Sequence, residues 1–236
     1  MGLGRDVVSV APGRRVVATL AGAALGYLAG SISFSRLIAA RVAPDEDVST
    51  TEVVMDAEGD TFVVDRVTPA GVGAHLGNRW GGVATLLEIG KAAVPVFAVT
   101  RAFPAVPQAA TATAAATVAG HVFPVFHGFR GGFGQSPIVG GTLVLDPRGL
   151  AVSTVAGSLA GVATADALVM IDGWPIVLIP WTACRRRDLL PYALAVNAVY
   201  WWATWPEVRA HVEHRRRTRK DWRGRFDEIR VRFGGA

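Results

Sequence analysis

Hydrophobic residues lie in long runs along this chain instead of alternating with polar ones. Most runs are near, or longer than, the ~20 residues that a helix needs to cross ~30 Å of hydrocarbon. The runs cover residues 15–43, 81–103, 108–127, 138–170, 171–184 and 188–205. A soluble helix would carry a polar stripe at the helical repeat, whereas VVATLAGAALGYLAG, residues 16–30, has no charged residue. The pattern predicts an all-α polytopic membrane protein in which residues 1–236 form a single integral membrane domain.

The number of crossings depends on how the longest run is divided. Asp146-Pro147-Arg148 interrupts the run at 138–170, and a division there gives about seven transmembrane helices. In the first run, Gly26 and Gly30 are four residues apart. Small residues at this spacing allow membrane helices to approach closely, so we interpret this pair as a packing feature.

Basic residues are concentrated in the C-terminal segment 206–236 and indicate the orientation of the protein. Arginine and lysine favour the cytoplasmic side and attract anionic headgroups. We therefore expect a multi-pass protein of the plasma membrane with a basic, cytoplasmic C-terminal tail. Seven crossings would place the run of arginines at 185–187 outside, so either the tail outweighs that run or the count is wrong by one.

Three polar segments interrupt or follow the hydrophobic runs. The acidic segment 44–69 contains TEVVMD and TFVVDRV, two β-branched runs separated by Ala57-Glu58-Gly59-Asp60, and this arrangement predicts a small β-hairpin inserted on the cytoplasmic side. The others are the glycine-rich loop at 128–136 and the basic tail. With seven crossings, all three lie on one face of the membrane and form the walls of a site.

The composition limits the kinds of site and partner that the chain is expected to have. Only 18% of residues are charged, below the ~25% of soluble domains, and a single cysteine, Cys184, excludes an internal disulfide. His75 and His211 have no neighbours at metal-ligand spacing, so we expect neither a metal nor a cofactor. The net charge of +5 could suggest nucleic acid, but the tail is explained by membrane lipids, and no nucleic-acid partner is expected. No oligomeric state is predicted.

Several ordered motifs resemble those of a known family. The stretch GHVFPVFHGFRGGFG (120–134) is similar to G-H-x-F-P-V-F-x-x-F-K-G-G-K-G. GYLAGSISFSRLIA (26–39), EIGKAAVPVF (88–97) and HRRRTRKDWRG (214–224) match further motifs in the same order. Together they resemble the bacterial membrane acyl-phosphate:glycerol-3-phosphate acyltransferases of the PlsY type, over residues from about 22 to 225.

This resemblance implies transfer of an acyl group from an acyl-phosphate to the sn-1 hydroxyl of glycerol 3-phosphate, which gives lysophosphatidic acid for phospholipid biosynthesis. An acyl-phosphate is already activated, so the protein has to position and stabilise rather than supply a nucleophile. By resemblance, the catalytic residues are Ser31 and His121. The residues implied to bind phosphate are Arg130, Gly131, Gly132, Gly134, His214 and Arg217.

The chain also departs from the family pattern. Phe133 stands where the family has the second lysine of the loop motif, and Arg217 and Asp221 replace an asparagine and a leucine of the tail motif. The segment GVGAHLGNR (71–79) keeps only part of the motif that follows the first helix. Arg66, Arg79, Arg217 or Arg219 could restore positive charge from new positions.

Three functions remain open from the sequence. The first is an acyltransferase acting on glycerol 3-phosphate or a related phosphorylated acceptor. The second is a relative that has lost catalysis and binds lipids or a partner. A transporter is disfavoured because no ionisable residue forms a convincing pair within a span; for Glu88 and Lys91, a local ion pair and a site role are equally open.

Overall fold

The computed structural model describes residues 11–55, 59–220 and 224–225. Part of the expected hairpin turn, the departure at Asp221 and the end of the basic tail therefore lie outside the described residues. The helices and strands are α1 Pro12–Ser31, α2 Phe34–Val42, β1 Thr51–Val54, β2 Thr61–Val64, α3 Pro69–Leu76, α4 Asn78–Ala102, α5 Pro107–Val122, α6 Gln135–Leu145, α7 Pro147–Thr164, α8 Ala167–Asp172, α9 Trp174–Arg185 and α10 Leu190–Thr218. Short 3₁₀ turns precede α6 at Val125–His127 and α10 at Arg187–Leu189.

Three segments of the described chain are long and apolar enough to cross a membrane: Pro12–Val42, Asn78–Ala102 and Pro107–His127. The division of the run at 138–170 is confirmed, because α6 ends at Leu145 and α7 begins with Pro147. Helices α6 and α9 have only 11 and 12 residues, a rise of about 16–18 Å at ~1.5 Å per residue. The chain is mostly helical as expected, but seven crossings remain a prediction.

Helix α5 lies at the centre of the fold and packs against α1, α4, α6 and α10. Its sequence is rich in alanine and threonine, and nine of its residues are buried. Small side chains let the surrounding helices approach its backbone closely. Large apolar side chains on the outside, such as Leu86 (70% exposed) and Val94 (68% exposed), face away from this core. That arrangement is typical of helices that contact lipid.

Glycines hold α1 directly against α5. A Cβ atom at Gly26 would collide with the Thr113 carbonyl oxygen, and one at Gly30 would collide with the Thr117 carbonyl oxygen. The interpretation of this glycine pair as a packing feature is confirmed. We call this contact the α1–α5 glycine seam.

The predicted β-hairpin is present between α2 and α3. Its strands pair antiparallel with Thr51 opposite Val64 and Val54 opposite Thr61. The chain then enters α3 through Thr68, whose hydroxyl accepts a hydrogen bond from Gly71 N at 3.0 Å and so caps the helix. Residues 206–218 of the expected tail continue α10 as helix, and Asp60 next to β2 contacts His214 on that helix.

Candidate active site

The glycine-rich loop between α5 and α6 uses its first amides internally. Phe129 N donates to Pro124 O (2.9 Å), Arg130 N to His127 O (3.2 Å) and Gly131 N to Val122 O (3.2 Å). These amides are therefore not available to an anion. Any positive charge in this half of the loop must come from side chains.

A cation from outside the loop contacts its glycines. Arg66, just after β2, donates from Nη1 to the carbonyl oxygens of Gly131 (3.2 Å) and Gly132 (3.3 Å). Its guanidinium carbon lies 5.6 Å from the centroid of the Phe133 ring, within the range of a cation–π contact. Burial lowers the pKa of Arg66, while the Asp65 carboxylate acts in the opposite direction. A cation thus stands beside Phe133, the residue that replaces the lysine of the resembling family.

Arg66 belongs to a small polar cavity of about 250 Å³ on one side of the loop. Two further guanidinium groups reach it, and Arg36 Nη2 donates to the Arg130 carbonyl oxygen at 3.3 Å. The residues lining it are Arg36, Ser49, Asp65, Arg66, Val67, His127, Arg130 and Gly131. Three arginines with one carboxylate leave a net positive charge, and planar guanidinium groups are well suited to phosphate oxygens. We call this the arginine cavity.

A larger cavity of about 560 Å³ lies on the other side of Phe133. Its walls come from the hairpin, α3, the start of α6, the end of α8 and Glu207 of α10, and are mostly apolar. His121 lines this cavity, as do Gly134, Gln135 and Ser136 at the N-terminal end of α6. We call it the histidine cavity. Because Phe133 lines this cavity and Arg66 lines the other, their contacting side chains form a shared wall.

His121 is held by a buried ionic cluster that joins four helices. Lys91 Nζ lies 2.9 Å from His121 Nδ1 and also donates to the carbonyl oxygens of Gly30 (2.9 Å) and Ile32 (2.7 Å), where α1 ends. Glu88, which is 0% exposed, forms an ion pair with Lys91. Its Oε1 accepts from Ser35 N at 3.2 Å at the start of α2. The expectation that no ionisable pair lies within a span is therefore wrong.

The remaining predicted site residues are placed elsewhere. Ser31 is fully buried; its hydroxyl donates to Tyr27 O (2.9 Å) and accepts from Val125 N (3.3 Å). His214 is buried on α10, with Nδ1 3.2 Å from Asp60 Oδ2. Arg217 is exposed on the same helix. None of these three side chains lines either cavity, whereas His121, Arg130, Gly131 and Gly134 do.

The end of α10 is fixed to the turn between α7 and α8. Asp166 caps α8 by accepting from Val169 N at 3.1 Å. It also contacts His211 (3.1 Å) and forms an ion pair with Arg215. Burial opposes ionisation of Asp166, but these partners outweigh it and lower its pKa to about 2. The tail helix is thus anchored through charge, close to Glu207 and the histidine cavity.

Several residues of the site were not identified from the sequence. Arg36 and His127 line the arginine cavity from variable positions of the matched motifs, and Thr51 of the hairpin lines the histidine cavity. For Lys91 the sequence leaves a local ion pair and a site role equally open, and a lysine in an otherwise apolar span is costly unless it is paired. Thr51 is also 8% exposed, and its Oγ1 has no hydrogen-bond partner among the described residues.

Several known proteins are similar to this chain in sequence or in fold. The sequence model of the family described as glycerol-3-phosphate acyltransferase matches residues 67–214. A glycerol-3-phosphate acyltransferase of Myxococcus xanthus is 35% identical over 154 residues, covering 60% of this chain and 74% of that protein. One of Anaeromyxobacter sp. (strain K) is 35% identical over 152 residues, covering 63% and 67%. The crystal structure of PlsY, an integral membrane glycerol 3-phosphate acyltransferase in its glycerol 3-phosphate form, has the same fold, with a TM-score of 0.69, 22% identity and coverage of 84% and 93%.

Proposed function

The chain belongs to the glycerol-3-phosphate acyltransferase family, and we propose that it transfers an acyl group from an acyl-phosphate to the sn-1 hydroxyl of glycerol 3-phosphate. It is a membrane enzyme of phospholipid synthesis. The residues matched by the family model include His121, the glycine-rich loop and most of α10. We place it in the plasma membrane with its C-terminus on the cytoplasmic side, because arginine and lysine are concentrated at that end.

The reaction needs positioning more than it needs a nucleophile from the protein. The acceptor hydroxyl oxygen attacks the acyl carbonyl carbon and forms an ester bond, while the bond from that carbon to the phosphate oxygen breaks. Inorganic phosphate leaves and takes up the hydroxyl proton, and lysophosphatidic acid remains. Bringing the two groups together and stabilising the charge on the carbonyl oxygen and the leaving phosphate are the main contributions available to such a site.

The two neighbouring cavities support this function. We assign the phosphate of glycerol 3-phosphate to the arginine cavity, since three guanidinium groups reach it. We assign the acyl-phosphate to the histidine cavity, which is larger and mostly apolar. Under this assignment, the two ligands lie on either side of the shared wall formed by Arg66 and Phe133. This pairing of a cationic and an apolar cavity across one wall is the observation on which the assignment rests.

The test uses the full-length protein purified in detergent. With a long-chain acyl-phosphate and glycerol 3-phosphate, we expect phosphate and lysophosphatidic acid to be released in equal amounts, measured by a phosphate assay and mass spectrometry. Without glycerol 3-phosphate, lysophosphatidic acid should be absent. A folded protein that releases neither product, beside a family member that is active in the same assay, would overturn catalysis and favour a non-catalytic role in binding lipids or a partner.

Arg66→Met is the informative variant, and Arg79→Met is its matched control. Arg79 makes an equivalent ring contact, 5.7 Å from the Trp80 ring centroid, but lines neither cavity. We expect Arg66→Met to lose transfer activity and Arg79→Met to keep it. Equal loss in both would show that the ring contact, and not the phosphate contact, matters.

A further inference from the structure

We propose that Lys91 is a positioning residue that keeps the single proton of His121 on Nε2, so that His121 serves as a hydrogen-bond donor to the substrate and not as a base. The proposal rests on the proposed function for its kinetic consequences. Its structural part concerns only which nitrogen of His121 carries the proton.

The protons of Lys91 can be fully accounted for. An ammonium group has three N–H donors and no acceptor. Three acceptors lie within hydrogen-bond distance in suitable geometry: Gly30 O at 2.9 Å, Ile32 O at 2.7 Å and His121 Nδ1 at 2.9 Å. Glu88 Oε2 is in ion-pair contact with the ammonium, but it has no hydrogen bond within the described part of the chain. The acceptors in hydrogen-bond geometry equal the three lysine protons in number, and Nδ1 is among them.

The opposite arrangement has a clear physical cost. A proton on Nδ1 could point to Glu88 Oε2, 3.3 Å away. It would then face the Lys91 ammonium at 2.9 Å, donor against donor, because an ammonium group has no lone pair with which to accept that proton. A neutral imidazole has one donor and one acceptor nitrogen, so an accepting Nδ1 leaves the proton on Nε2.

The Nε2 atom is available to a ligand. It lies against Gly132, where a Cβ atom would collide with it, and His121 lines the histidine cavity. No described residue accepts a hydrogen bond from Nε2. The charged groups facing the ring are Lys91 and Glu88 of α4 and Arg66 after β2. A neutral ring with its N–H at Nε2 can donate a hydrogen bond to a developing oxyanion in the histidine cavity.

The assignment also gives a role to the ion pair. Glu88 Oε1 accepts from Ser35 N and Oγ at 3.2 and 3.4 Å, while Lys91 binds the last carbonyls of α1. The ion pair therefore fixes the position of the break between α1 and α2. Through Lys91 it also fixes the orientation of the His121 ring on α5. Helix geometry and the tautomer of His121 are set by the same lysine.

The direct test is nitrogen NMR of the histidine side chains of the full-length protein in detergent, which needs no enzymatic activity. His121→Gln identifies the His121 signals by their loss. We expect an unprotonated Nδ1 and a protonated Nε2 in the wild type, and a shift toward the Nδ1–H tautomer in Lys91→Met. A protonated Nδ1 in the wild type would overturn the proposal, whether or not the protein catalyses transfer.

The kinetic test compares His121→Gln with His121→Ala. Glutamine keeps an N–H donor near the position of Nε2 but cannot act as a base at neutral pH, so we expect it to retain activity within about tenfold of wild type. Alanine removes the donor and should lower kcat by about 10²- to 10³-fold, as for loss of one oxyanion donor. Equal loss in both variants, together with a wild-type rate that falls at low pH with the ionisation of a histidine, would mean that His121 is a base.

Lys91→Met should lower kcat with little change in the KM for glycerol 3-phosphate, and Lys91→Arg should recover part of the loss. The matched control is Thr100→Val on the same helix, which removes a side-chain hydrogen bond to Val96 O outside the site. If Lys91→Met fails to fold, the wild-type NMR assignment and the two His121 variants still decide the question.

Discussion

Arg66 and Phe133 should behave as one functional unit in binding glycerol 3-phosphate. In Arg66→Met, the guanidinium that contacts both loop carbonyls and faces the Phe133 ring is removed. A hydrogen bond to a charged group contributes about 1.5–3 kcal/mol. At ~1.4 kcal/mol per decade, loss of one such contact to phosphate should weaken binding about 10- to 150-fold.

The informative variant is Phe133→Lys, made both in the wild type and in Arg66→Met. In the Arg66→Met background the new lysine supplies a cation where the family carries one, and we expect it to recover about tenfold in affinity. In the wild type the lysine meets the existing guanidinium and replaces a cation–π contact of about 0.5–2 kcal/mol. The gain there should be much smaller, or affinity should fall.

Calorimetric titration with glycerol 3-phosphate in detergent measures all four proteins, and thermal unfolding checks that each is folded. A double-mutant cycle should give an interaction energy of at least about 1 kcal/mol between the two positions. Additive effects would refute the idea that Arg66 has taken over the role of the missing lysine. Unchanged affinity in Arg66→Met, equal to the Arg79→Met control, would refute the assignment of the arginine cavity itself.

Three further outcomes are expected. Gly120→Val should lower the thermal unfolding temperature in detergent, because a Cβ there collides with the Tyr27 carbonyl oxygen; an unchanged temperature would contradict the close packing. Asp60→Ala should speed proteolysis in the hairpin by removing its contact with His214, and equal cleavage would show that the contact is not needed. Since the pKa of Asp166 is lowered to about 2, its contribution is present above ~4 and lost as pH falls toward 2, so Asp166→Asn should be less stable than wild type at neutral pH but not near pH 2.

Local features of the fold could be predicted from the sequence. Pro147 divides two helices because proline cannot continue the preceding one, and the β-branched runs at 51–54 and 61–64 pair as expected. The number of membrane crossings was harder to predict, because the length of an apolar run does not determine the length of the helix within it. Residues 171–184 are apolar, yet α9 covers only Trp174–Arg185.

The part of the site that is formed by one continuous motif could be predicted from the sequence. The part that is formed by segments distant in sequence could not. The loop glycines and His121 are neighbours in sequence and in space. Lys91 contacts His121, 30 positions away in the sequence, and Arg66 contacts Gly131, 65 positions away. Neither contact can be inferred from the spacing of the residues along the chain. His214 matches a motif, but the residue that it contacts, Asp60, lies in the hairpin 154 positions earlier in the sequence.

The α1–α5 glycine seam also shows the relative direction of the two helices that it joins. From Gly26 to Gly30 on α1, the contacted carbonyl advances from Thr113 to Thr117 on α5, so the two helices run parallel. Their C-terminal ends therefore emerge at the same end of the bundle, which is why Arg66 after the hairpin can meet the glycine loop that follows α5. Any probe that reports the membrane side of the hairpin thereby reports the side of the loop as well, and a label at one of them fixes the topology of both.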